Sequence, residues 1–68
     1  MNVNLLKAKA GDVFIDNHSQ HWLYVRQEQR YGMGWEHLLY MGNIPSVFTD
    51  GGICLHPSGD TKLVKFIS

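Results

Sequence analysis

A single cysteine, Cys54, removes internal disulfides from the means by which this chain can hold its fold. Net charge is equally scarce: six basic residues balance six acidic ones, charged residues make up only 18% of the chain, and nothing advertises a polyanionic partner. No apolar run is long enough for a membrane-spanning helix. The segment before Gly11 is too short in its apolar part to serve as a secretory signal. A lone thiol without those features points to a reducing, cytoplasmic setting. With 68 residues there is one small domain, 1–68, whose core supplies only a few kcal/mol unless metal, oligomerisation or unusually good packing supplements it.

What the chain does have is hydrophobic content, 44%, with two Trp, three Tyr and three Phe, enough for a folded core rather than a disordered segment. Residues 10–29 are the most informative stretch. Val3, Leu5, Lys7 and Lys9 alternate as an extended lead-in, an edge strand, until Gly11-Asp12 interrupts and Val13-Phe14-Ile15 resumes. Asp16-Asn17-His18-Ser19 is a cluster of turn formers whose side chains bond their own backbone, so the chain reverses there. From Trp22 the period is two: Leu23 and Val25 fall on one face, Trp22, Tyr24 and Arg26 on the other. We expect Leu23 and Val25 to build the core and the opposite face to be covered by another element or to serve as a binding surface.

Tyr31-Gly32-Met33-Gly34 marks a second reversal. In residues 35–41, Trp35, Leu38 and Leu39 have helical spacing with Gly42-Asn43 as a stop, whereas Trp35, His37, Leu39 and Met41 share one face of a strand. Strand is the preferred reading, since the segment is short for a stable helix; a short helix at 35–41 stays as the alternative. Pro45 is a further breaker. Val47-Phe48-Thr49 meets Ile53-Cys54-Leu55 across Asp50-Gly51-Gly52 in a hairpin, Pro57-Ser58-Gly59-Asp60 makes the last loop, and Leu63, Val64, Phe66 and Ile67 close the chain as a strand. Five to six short antiparallel strands with glycine-rich turns specify an all-β fold, and at this length a small barrel rather than a sandwich, because two separate sheets leave too many open edges.

Leu5-Leu6, Gly11-Asp12-Val13-Phe14, Trp22-Leu23-Tyr24-Val25, Phe48 and Leu63-Val64-Lys65-Phe66-Ile67 follow a pattern that resembles small SH3-like β-barrel proteins of the kind encoded by phages and prophages. The resemblance covers most of the chain and includes no catalytic motif. It implies an accessory protein that binds or inhibits a host or defence protein. His18, His21 and residues 35–41 lie outside the shared pattern.

His18, His21, His37, Cys54 and His56 offer nitrogen and sulfur ligands for zinc, but their spacing lacks any paired Cys-x-x-Cys, so we expect no metal or other cofactor. Cys54 with His56 has no readable activating environment, Asp12, Asp16, Asp50 and Asp60 are accounted for as turn residues, and Glu28 and Glu36 have no evident carboxylate partner. An enzyme is therefore not the expectation. Trp22, Tyr24, Arg26, Arg30, Tyr31 and Trp35 form the candidate binding surface, aromatics beside arginine being the usual interface anchors. Protein binding fits best. Stacking of single-stranded nucleic acid on the same aromatics is the alternative, opposed by the zero net charge, and a homo-oligomer that captures a small polar ligand in a cleft between copies is a third reading.

Overall fold

Alternating apolar residues punctuated by glycine produce a single five-stranded antiparallel sheet in the computed structural model, which describes residues 3–55 and 60–68. A 3-10 turn at Leu5–Lys7 precedes β1 (Val13–Asp16), β2 (His21–Tyr31), β3 (Gly34–Met41), β4 (Ile44–Phe48) and β5 (Leu63–Phe66). The order across the sheet is β4-β3-β2-β1-β5. The end strands do not join in a continuous ladder. Single bridges, Phe48 to Cys54 and Ile53 to Lys62, link the end of β4 to the start of β5 through the segment between them. The all-β class is as expected, with five strands and an open sheet rather than a closed barrel.

Residues 35–41 are strand, not helix. Two-residue loops flank β3: Gly32-Met33 and Gly42-Asn43, each with glycine alone at positive φ (58° and 63°), the first loop position of a type II′ hairpin. Pro45 does not break the chain. It sits in β4 opposite Tyr40, an edge strand where a missing N–H costs no ladder bond. The lead-in is no edge strand either: Asn4 accepts the Leu6 N–H, winding Leu5–Lys7 into a turn that buries Leu5 and fastens its N–H to the Asp50 carbonyl at 2.8 Å.

The largest correction concerns which face of β2 is inside. Trp22 and Tyr24 are buried, 4% and 5% exposed, whereas Leu23 is 45% exposed and Val25 half-buried. The core comprises Leu5, Phe14, Trp22, Tyr24, Leu39, Phe48, Cys54 and Leu63, with Trp22 edge-on to Phe48 at 5.0 Å. An aromatic ring removes more apolar area from water than Leu or Val, so the rings take the inside when their polar tips find partners there. Both do.

Candidate functional site

The Trp22 indole N–H donates to Asp16 Oδ2 at 2.8 Å, while Asp16 Oδ1 accepts the His18 and Gln20 N–H groups, each at 2.8 Å. One buried carboxylate thus closes the β1–β2 turn and anchors the largest core ring. Burial alone would push its carboxyl up, but the bonds from Trp22, Gln20 and His18 and the nearby His18 ring hold it below the usual carboxylate range.

The Tyr24 hydroxyl is 2.8 Å from His37 Nδ1, and His37 Nε2 is 2.7 Å from Asp50 Oδ1, which also accepts the Trp35 N–H at 3.3 Å. A carboxylate only accepts, so His37 Nε2 donates to Asp50 while the Tyr24 hydroxyl bonds the other ring nitrogen, Nδ1. Burial, and secondarily the Asp50 carboxylate, push the Tyr24 phenol up from its ordinary value, keeping that hydroxyl a donor. The arrangement resembles a proton relay in outline. Its histidine is fully buried and ties the loop at Asp50 to β2 and β3.

The candidate surface residues separate accordingly. Trp22 and Tyr24 belong to the core and are withdrawn from it; Arg26, Arg30, Tyr31 and Trp35 gather on the β2–β3 arm. β2 carries two register shifts relative to β3, between Tyr24 and Arg26 and between Gln27 and Arg30, and such bulges bend a strand and strengthen its twist. Past Tyr24, no strand among the described residues pairs with the free edge of β2. The Arg30 guanidinium lies 5.1 Å above the Trp35 ring, Tyr31 is exposed, and Met33 at the tip is 97% exposed. Arg26 pairs with Glu28 at 2.7 Å, and Gln29 donates to Glu36 at 3.0 Å. Met33 is the member of the site that sequence pattern does not single out; its place between two glycines at a reversal is the available signal.

Among the described residues, the histidines and the cysteine do not converge. His18 lies 4.0 Å from Asp60 at one end of the sheet, His21 is exposed, His37 and Cys54 are buried, and His56, with the loop residues Pro57, Ser58 and Gly59, lies outside the described residues. No three His, Cys, Asp or Glu side chains come together as a metal site among the described residues. A cleft of about 240 Å³ opens between the N-terminal turn and β5, over Phe14 and Phe66. Its Asn4 and Asp12 carbonyl and carboxyl oxygens accept the Leu6 and Lys9 backbone N–H groups, serving turns rather than a ligand. No helix of the described chain is long and apolar enough to cross a membrane.

Fold and arm together define a small antiparallel β domain whose β2–β3 hairpin runs on past the strand pairing of β1. Comparison with protein-family models, curated proteins and solved structures finds no match to this chain.

Proposed function

We propose that the protein is a non-enzymatic binding module that grips a protein partner with the β2–β3 arm. The observation that carries this reading is Met33, wholly exposed at the tip beside exposed Tyr31 and above a Trp35 stacked under Arg30. A flexible thioether with aromatic and arginine neighbours is an adaptable anchor, and the free edge of β2 can accept an added strand. The resemblance to SH3-like phage and prophage proteins makes a host or defence protein in the cytoplasm the partner class to test, with inhibition as the outcome of binding. Glu28 and Glu36, interleaved with the two arm arginines, favour protein over single-stranded nucleic acid.

The test is capture from host lysate with wild type, a Met33→Asp/Tyr31→Ala variant and a Leu23→Asp variant. A partner held by wild type and Leu23→Asp but released by the arm variant, with near-UV circular dichroism unchanged, supports the reading. Undiminished capture by the folded arm variant refutes it.

A further inference from the structure

The cleft of about 240 Å³ between the N-terminal turn and β5 has an apolar floor and wall: Phe14 and Phe66, edge to face at 5.5 Å, with Val3 and Ala8 beside them. Phe14 is buried, whereas Phe66 is 53% exposed, so one ring of the pair still lacks cover. Asn4, Lys7 and Asp12 complete the lining. The local turns use one atom of Asn4 and one of Asp12: Asn4 Oδ1 accepts the Leu6 N–H at 3.1 Å, and Asp12 Oδ2 accepts the Lys9 N–H at 2.9 Å. Among the described residues, the Asn4 amide NH2 and Asp12 Oδ1 have no hydrogen-bond partner, and the Lys7 ammonium pairs with no carboxylate, Asp12 included.

We infer that this cleft binds a free apolar α-amino acid, its side chain over Phe66 and Phe14, its carboxylate at Lys7 and the Asn4 amide, and its ammonium at Asp12 Oδ1. The charges select the class. A cation and a carboxylate that line one cleft without pairing suit a ligand that carries both signs, whereas a plain anion meets the Asp12 charge and a plain cation meets Lys7. Size sets the limit. Pockets for drug-sized compounds run to about 300–1,000 Å³, so a smaller cleft takes a single side chain with its backbone groups. An aromatic side chain fits best, because the exposed Phe66 ring offers an edge-to-face or offset contact. The polar groups are also held in advance. Asp12 is half-buried in a turn closed from both sides, its N–H donating to the Lys9 carbonyl at 2.9 Å while its carboxylate accepts the Lys9 N–H, and Asn4 is fixed as the cap of the Leu5–Lys7 turn. Such preorganisation lowers the ordering cost of binding. No residue of the β2–β3 arm lines the cleft, so this inference stands apart from partner binding.

Amide NMR titration of the full chain at pH 7 tests this with L-phenylalanine as the probe, beside hydrocinnamate, which lacks the ammonium, and phenethylamine, which lacks the carboxylate. The expected result is a set of saturable shifts at residues 3–8, Asp12, Phe14 and Phe66, with a dissociation constant on the order of 1 mM, the affinity open to a ligand of so few atoms. Each single-charge compound should bind about two- to fivefold more weakly, the worth of one exposed ion pair. Lys7→Gln should erase the preference for L-phenylalanine over phenethylamine and keep that over hydrocinnamate; Asp12→Asn, which retains an oxygen for the Lys9 N–H, should do the reverse. No saturable shift for wild type, shifts centred on other residues, or equal affinity for the three compounds overturns the inference. Wild type decides the matter should either variant unfold. Failure of the arm to bind a partner leaves these readouts unaffected.

Discussion

Replacing Asp16 by Asn removes one charge and one acceptor from the point where the β1–β2 turn meets the core. The introduced amide keeps an oxygen for the His18 and Gln20 N–H groups but turns its NH2 toward the Trp22 indole N–H, so two donors face each other in a buried site. Leaving that indole unsatisfied costs about 1–3 kcal/mol, and the two remaining bonds lose their charge assistance, roughly 0.5 kcal/mol each. The sum, about 2–4 kcal/mol, is set against a total stability of about 3–10 kcal/mol for a chain of this length. The melting temperature should fall by on the order of 10–25 °C. Urea unfolding at pH 7, followed by tryptophan fluorescence, measures the difference directly. Acid supplies an independent check. The folded carboxyl titrates below its unfolded value of ~3.9, so its contribution is complete above that pH and is lost as pH falls through the lower folded value. The gap between wild type and Asp16→Asn should therefore be constant from pH 7 to about 5 and close as the solution is acidified below pH ~4. A variant within about 0.5 kcal/mol of wild type at pH 7, or a gap that persists in strong acid, refutes the assignment of this carboxylate as the ionised acceptor of three bonds.

Tyr24→Phe leaves His37 Nδ1 buried without a donor and should cost about 1–3 kcal/mol by chemical denaturation, with the fold retained. Alkaline absorbance titration should show one tyrosine ionising after the other two and missing from Tyr24→Phe; because the folded phenol titrates above its unfolded value, stability should decline as pH rises past about 10. Gly34→Ala would drive a methyl group into the Asp50 carboxylate, and the resulting displacement should cost on the order of 1–3 kcal/mol and alter the His37 ring resonances. Met33→Asp should move stability by less than about 0.5 kcal/mol, because the side chain touches solvent alone; a larger loss by thermal unfolding would place Met33 in the fold rather than on its surface.

Punctuation is the most legible part of the sequence. The 16–19 cluster and the glycines at 32 and 34 put the first two hairpins where they are found, and the meeting of Phe48 with Cys54 follows from the Asp50-Gly51-Gly52 reversal, whereas the β3–β4 hairpin at Gly42-Asn43 reads only as a stop. Period two assigns residues to two faces without saying which face is inside. At β2 the aliphatic pair Leu23 and Val25 reads as the more hydrophobic set. The choice is decided instead by two long-range bonds, Trp22 to Asp16 and Tyr24 to His37, that make the larger rings easy to bury. Gln27, Glu28, Gln29 and Arg30 carry no strand signal because their apolar content is nil; cross-strand pairing with β3 carries β2 through them. Asp50 is a turn residue as its neighbours suggest, but its bond to His37 depends on two strands that only the tertiary fold brings together.

The polar groups of this small core fix its geometry as much as its apolar groups fill it. Among the described residues, eight hydrophobic side chains form the buried cluster, and Asp16 and His37 are buried with them, so part of a small interior goes to hydrogen-bonding groups whose bonds are costly to break. Such groups fix geometry: Asp16 locks the first hairpin and the Tyr24, His37 and Asp50 chain locks the base of the arm to the loop after β4. These bonds hold β2, β3 and the loop at Asp50 in one geometry, which fixes the direction in which the β2–β3 hairpin leaves the core.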